Sequence, residues 1–205
     1  MSLFPVFVKL EGRLIVVIGG GAIAEGKIPG ALAAGARVRL VAPSITPQIA
    51  EWVRSGKIDW LPKEFEPADL DAAFLIIAAT SAPGVNESVF REAEARGILC
   101  NAVDDIEHCH FYYGAVVQRG DLQIAISTNG KSPALAQRLR KEFEAEFGPE
   151  YEAWLQWLGT AREALRATDP SSETTKKLLH ELASRPMFEE FLRQVTQPQG
   201  RRGAA

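Results

Sequence analysis

Short, continuous apolar runs alternate with longer stretches of helical period over residues 13–103. Leu14-Ile15-Val16-Val17-Ile18 is apolar at every position and ends in Gly19-Gly20-Gly21, the pattern of a strand buried on both faces. A helical stretch to Ala34, stopped by Gly35, leads into a second run, Arg37-Val38-Arg39-Leu40-Val41. Residues 49–55 have helical period and end at Gly56. Residues 57–61, 74–79 and 98–103 are further candidate strands, with a helix over 85–96, closed by Gly97, between the last two. Regular strand–helix alternation predicts an α/β unit with a parallel, doubly wound sheet over residues 1–111. Pro29 falls inside the first helix, where a missing N–H and a ring clash predict a bend or an early redirection.

After Val103 the pattern changes. Residues 112–118 and 122–127 are β runs joined through Arg119-Gly120-Asp121, which reads as a hairpin. Ser132-Pro133 opens a helix, serine capping free N–H groups and proline fitting the first turn. Leu135, Leu139, Phe143 and Phe147 form one stripe of that helix, a packing surface. Beyond Gly148-Pro149 the chain is helical, with Tyr151, Trp154, Leu155, Leu158 and Leu165 on one apolar face and Leu178, Leu179 and Leu182 on another. A last helix starts near Pro186. The expected organisation is a sheet domain over 1–111, a hairpin-plus-helix segment over 112–148, a small all-helical domain over 149–195, and a disordered tail over 196–205.

Composition narrows the function classes. The 205 residues are 46% hydrophobic and 24% charged, with a formal charge of −3, which argues against a general nucleic-acid binder because phosphate neutralisation needs a dense basic face. No apolar run is long enough for a bilayer, and the N-terminus lacks the charged-then-apolar order of a signal peptide. The 2 cysteines, Cys100 and Cys109, make no disulfide framework. A reduced, cytoplasmic protein without membrane or nucleic-acid partners is expected.

Gly19-Gly20-Gly21-Ala22-Ile23-Ala24 fits G-x-G-x-x-G/A directly after a buried strand. The first glycine permits a tight turn, the second lets backbone approach a pyrophosphate, and the small third residue lets helix pack on strand. The helix N-terminus adds N–H donors and positive dipole. This placement predicts a Rossmann dinucleotide site using Gly19, Gly21, Ala22 and Ile23. The acidic residue that usually holds the ribose 2′-OH is missing, since the second strand ends in Val41-Ala42-Pro43-Ser44. Ser44 or backbone groups are the substitutes, and Arg37 and Arg39 leave a 2′-phosphate open.

Other candidates sort by chemistry. Asp104 follows the fifth candidate strand and so lies at the carboxyl edge of the sheet, where ligands of open α/β folds sit. Asp105 reads as turn chemistry. Cys100, His108, Cys109 and His110 fit no zinc spacing; Cys100 suits the core and the histidines suit surface or packing roles. Gly130-Lys131-Ser132 imitates the end of a P-loop, but Ala125 stands where its upstream glycine belongs.

Several of these motifs occur together: Phe4-Pro5-Val6-Phe7, residues 19–24 with Lys27, Ala79-Thr80, Asn101-Ala102-Val103-Asp104, Gly120-Asp121-Leu122, and Ser127-Thr128-Asn129-Gly130-Lys131-Ser132-Pro133-Ala134-Leu135-Ala136. In this order they resemble the precorrin-2 dehydrogenase/sirohydrochlorin ferrochelatase family, including the N-terminal half of siroheme synthases. The resemblance is strong over residues 3–150 and looser beyond. It implies a Rossmann domain, a dimerisation segment over 112–148 that interleaves a homodimer, and NAD-dependent oxidation of precorrin-2 to sirohydrochlorin. In some members ferrous iron is then inserted as a substrate. It implies Asp104 as the catalytic carboxylate, with Pro43, Ser44, Thr80 and Asn101 completing the cofactor set. Thr128 and Lys131 would bind the polycarboxylate substrate; Arg119, Arg138 and Arg140 have the charge for it, but charged residues on such a helix are usually its solvated face and are read so here. Thr128 stands where multifunctional relatives can have a phosphorylatable serine, and Gly114 where proline is common. The competing reading is a non-catalytic NAD-binding sensor or regulatory subunit, which needs the glycine motif but neither Asp104 nor residues 127–136.

Overall fold

A computed structural model describes residues 3–82, 84–168 and 172–196. It divides into two compact units, one ending at Tyr112 and the other beginning at Tyr113.

The first unit is a five-stranded parallel sheet in the order β3-β2-β1-β4-β5. Its strands are β1 (Leu14–Ile18), β2 (Arg37–Val41), β3 (Asp59–Leu61), β4 (Leu75–Ala78) and β5 (Leu99–Ala102), alternating with α1 (Ala22–Ala33), α2 (Pro47–Arg54) and α3 (Val85–Ala95). Side chains alternate across the sheet and feed two cores. Ile15, Val17, Val38, Leu40 and Ile77 pack with Ala24, Ile28 and Ile49 on one face. Val16, Ile18, Ile76 and Cys100 pack with Val89, Phe90 and Ala93 on the other. Each fully buried branched side chain contributes about 1.5–3 kcal/mol, so the central strands anchor the unit.

Some details depart from the sequence expectations. Helix α1 runs as one segment to Ala33, four residues past Pro29, without redirection. Pro29 is exposed, on the solvent side of the helix. Strand β3 begins at Asp59 rather than Lys57, because the Lys57 N–H donates to Trp52 O at 2.9 Å and closes α2.

The second unit holds an antiparallel hairpin, β6 (Ala115–Arg119) and β7 (Leu122–Ile126), with α4 (Pro133–Glu146), α5 (Glu150–Thr168), α6 (Glu173–Leu182) and α7 (Arg185–Thr196). Arg119 pairs with Leu122, leaving Gly120-Asp121 as the turn. Gly120 has φ +54°, as a type II′ turn requires at its first central residue. The first strand starts at Ala115 rather than 112; at Gly114 the backbone lies so close to β7 that an added Cβ would stand 2.9 Å from Ile126 O. The hairpin and C-terminal helices are one unit: α4 touches β6, and α5 touches β7. The aromatic stripe packs as expected, with Phe147–Tyr151, Tyr151–Phe188 and Trp154–Phe188 ring centroids 5.0, 4.5 and 4.7 Å apart. Of the tail expected over 196–205, Thr196 closes α7 and the rest lies outside the described residues. No described helix is long and apolar enough to cross a membrane.

Candidate functional site

The chain winds β1→β2→β3 to one side of β1 and returns to β4→β5 on the other. The carboxyl ends of β1 and β4 therefore flank the switch point where doubly wound sheets bind ligands. Each glycine of the loop there is held differently. Gly19 has φ +113°, and a Cβ on it would lie 2.4 Å from Ala79 O; on Gly20, a Cβ would lie 2.1 Å from Ser44 O. At Gly21 an added Cβ meets nothing within 4 Å. Two glycines thus let the loop lie against β4 and the β2–α2 connection, while the third presents bare backbone to open space.

Gly21 is also the N-cap of α1 and has no side-chain cap. The first N–H groups of the helix therefore lack an intrahelical or side-chain acceptor, the arrangement that receives a phosphate. Ala22 and Ile23 are exposed beside it, and Ala24 is fully buried against the sheet, as the third motif position demands. This cradle fits a dinucleotide pyrophosphate.

The neighbouring loops are fixed by groups that the motif does not name. Thr46 N donates to Gly20 O at 3.0 Å. Its hydroxyl accepts from Ile49 N, capping α2, and donates to Glu25 Oε2 at 2.6 Å. Pro43 and Ser44 stand exposed on the loop so held. At the end of β4, Asn86 Oδ1 accepts from the Thr80 N–H and hydroxyl at 3.1 and 2.9 Å, and Asn86 Nδ2 donates to Thr80 O at 3.1 Å. Thr46-Pro47 carried the same capping signature as Ser132-Pro133 and was legible in sequence; the Asn86 clasp had no local signal.

Asn101, buried in β5, spends its amide N–H groups on Phe111 O at 2.8 Å and Cys109 Sγ at 3.3 Å. Its side chain anchors the return loop. That loop pairs antiparallel with β5 at Asn101 and Cys109, and His110 N donates to Cys100 O at 2.8 Å. The Cys100 N–H donates to His110 Nδ1 at 3.1 Å, so this imidazole stands in for a main-chain acceptor. His110 also stacks on Phe90 with centroids 4.7 Å apart, and His108 meets Phe90 edge-on while Nδ1 lies 2.6 Å from Asp105 Oδ2. These are packing and turn roles. Among the described residues no three His, Cys, Asp or Glu side chains gather as metal ligands. Cys100 is fully buried, and desolvation, then the neighbouring Cys109, push its thiol up to about 12.

Asp104 stands just past β5 on the carboxyl edge, exposed, with a left-handed backbone at φ +63°. Such a residue costs roughly 1–3 kcal/mol, least for Asp, Asn and Gly, and the surrounding fold must impose it. Val103 N–H holds the turn by donating to Ala78 O at 2.9 Å. Lys27 on α1 is half-buried; desolvation lowers its pKa below the usual lysine value, and the Asp104 charge opposes that shift.

In the second unit Thr128 and Lys131 meet at the start of α4. Lys131 N donates to Thr128 O at 3.0 Å, Ser132 N to Thr128 Oγ1 at 3.1 Å, and Leu135 N to Ser132 Oγ at 3.2 Å. The Lys131 side chain is exposed there. The nearby arginines have partners within the unit. Arg119 donates to Phe147 O at 2.8 Å and Glu144 O at 3.0 Å, capping α4's C-terminus. Arg138 pairs with Glu142, and Arg140 with Glu144, one helical turn away. Likewise Arg37 Nε donates to Gly12 O at 3.3 Å beside the start of β1, and Arg39 to Asp69 O and Asp71 O at 3.2 and 3.3 Å. Neither arginine attends the glycine loop.

Fold and cradle together define a dinucleotide-binding α/β protein. The family described as putative NAD(P)-binding matches residues 6–115, and that described as sirohaem biosynthesis protein central matches residues 119–146. Siroheme synthase of Photorhabdus laumondii is 41% identical over 145 residues, which are 71% of this chain and 31% of that one. Siroheme synthase 1 of Aeromonas salmonicida is 36% identical over 184 residues, 90% of this chain and 39% of that one. The solved structure of SirC, precorrin-2 dehydrogenase, is 29% identical with a TM-score of 0.76, covering 94% of this chain and 98% of that one. The chain belongs to the family of precorrin-2 dehydrogenases and siroheme-synthase N-terminal halves, and its cofactor is NAD. It spans about a third of the length of the siroheme synthases it matches.

Proposed function

We propose that this protein oxidises precorrin-2 to sirohydrochlorin in siroheme biosynthesis. The similarity to SirC along nearly the whole chain supports this substrate. The observation that carries the chemistry is Asp104, a carboxylate on a left-handed backbone at the carboxyl edge that also bears the glycine cradle. NAD, when bound, supplies the acceptor for a hydride. The chain's own task is to hold the macrocycle and take the proton released as the double bond forms. Asp104 takes that proton, as an exposed carboxylate within reach of a ligand at the carboxyl edge of the sheet. Thr128 and Lys131, at a helix N-terminus, bind acetate or propionate groups of the substrate. A homodimer formed through residues 112–148 completes the proposal.

The test is Asp104→Asn. Calorimetric titration should give unchanged NAD affinity, while sirohydrochlorin formation falls by about a hundredfold or more. Full turnover in that variant would remove Asp104 from the reaction. Wild-type protein that binds NAD yet makes no NADH with precorrin-2 would leave the sensor reading. Adding ferrous ion to sirohydrochlorin, against a protein-free control, separates dehydrogenase-only from iron-inserting activity.

A further inference from the structure

The buried stripe of α1 is Ala24, Ile28 and Ala31, spaced four and three apart toward the sheet. Lys27 stands beside that stripe, one residue before Ile28, so its half-buried stem runs along the margin of the core. Val103 and Phe111 pack against the same core from the far end of β5. The helix turn that carries Lys27 and the chain turn that carries Asp104 therefore share one margin.

The chain turn is pinned on both sides of Asp104. Val103 N donates to Ala78 O at 2.9 Å, and Asp105 N donates to Ala102 O at 3.2 Å. Between them Asp104 takes φ +63°, so the fold rather than local preference sets its direction. The neighbouring carboxylates have other partners. Glu25 accepts from the Thr46 hydroxyl at 2.6 Å, and Asp105 Oδ2 lies 2.6 Å from His108 Nδ1. Lys27 responds to Asp104 itself: burial lowers the lysine pKa, and the Asp104 charge works against that shift.

We propose that Lys27 is the positioning residue for Asp104, drawing the carboxylate to its place at the edge of the sheet and offsetting its charge when an anionic macrocycle covers the corner. The inference rests on the reading of Asp104 as proton acceptor. Acetate and propionate groups of a tetrapyrrole repel a carboxylate that has no cation behind it. The attraction between ammonium and carboxylate strengthens as the substrate displaces water. Lys27 is the sixth residue of α1, past the turn that forms the glycine cradle, and takes no proton itself.

One test needs no substrate. The Lys27 side chain is titrated by NMR in the whole chain and in Asp104→Asn. Its midpoint should fall in the variant, because the charge that opposes desolvation is gone; an unchanged midpoint overturns the pairing. The second test is turnover of precorrin-2 with NAD. Lys27→Met should lower kcat at least about tenfold with KM within about threefold, and Lys27→Arg, which keeps the charge, should recover most of kcat. In the Asp104→Asn background Lys27→Met should cost less than about threefold more, since the two residues act as a unit. A full additive loss overturns the proposal. A raised KM with unchanged kcat assigns Lys27 to gripping substrate, and lost NAD affinity assigns it to the cofactor; either result overturns it too. Circular dichroism checks folding, and if Lys27→Met does not fold, the NMR comparison still decides. Wild-type protein that makes no sirohydrochlorin sinks the proposed reaction and the positioning role together, whereas full activity in Lys27→Met sinks only the latter.

Discussion

Adjacent glycines in the cradle should respond oppositely to the same added methyl. In Gly20→Ala the new Cβ would stand 2.1 Å from Ser44 O and 3.0 Å from both Ala42 Cβ and Ile45 Cγ2. A backbone oxygen cannot rotate away, so the 42–45 loop must shift, straining the bond from Thr46 N to Gly20 O. Overpacking costs about 1–3 kcal/mol and a lost hydrogen bond about 1, giving about 2–4 kcal/mol. Out of a total near 5–15 kcal/mol that is a large loss. Gly21→Ala places its methyl in open space on a backbone at φ −87° and ψ −172°. It should cost about 1 kcal/mol or less, as for other N-cap changes to alanine, but intrude where the pyrophosphate approaches, weakening NAD at least about tenfold. Amide hydrogen exchange along β1 reports the first unit even if the second unfolds separately. Calorimetry reports NAD. Equal stability of the two variants, or wild-type NAD affinity in Gly21→Ala, would refute this division of labour.

Two further outcomes follow from groups whose surroundings are unusual. The native Cys100 thiol keeps its proton up to about 12, whereas the unfolded thiol loses it near 9.0. Its contribution to stability is thus fully present below pH 9 and is lost as pH climbs toward 12; chemical denaturation across that window should show a shallower loss in Cys100→Ala, and an identical slope would remove Cys100 as its source. Arg119→Met removes charged donors from Phe147 O and Glu144 O. It should destabilise the second unit by about 1.5–3 kcal/mol, read as a lower melting temperature by Trp154 and Trp157 fluorescence; an unchanged melt would contradict the capping role.

Sequence patterns made much of the first unit legible because its strands are buried on both faces. Leu14–Ile18 and Arg37–Val41 stand at their expected bounds, since continuous apolarity and the following glycines leave little choice of register. Side chains that reach across elements were less legible. Arg119, Arg138 and Arg140 had the right charge for anions, but α4's own carbonyls and carboxylates claim them first. Asn101, expected beside the cofactor, directs its amide N–H groups into the return loop, because that loop brings a carbonyl to 2.8 Å from its nitrogen. The left-handed turn at Asp104 had no local sign, as aspartate pairs begin many ordinary turns.

The return loop after Asp104 has a consequence for solubility. β5 is the last strand of its sheet, and a bare outer strand invites a neighbouring molecule to extend the ladder. Here the main-chain groups of Cys100 are taken by one residue, His110, through its own N–H and its ring nitrogen. The segment that follows Asp104 therefore also terminates the sheet. Loosening this corner would uncover an adhesive edge, so sequence change should be better tolerated elsewhere on the unit's surface.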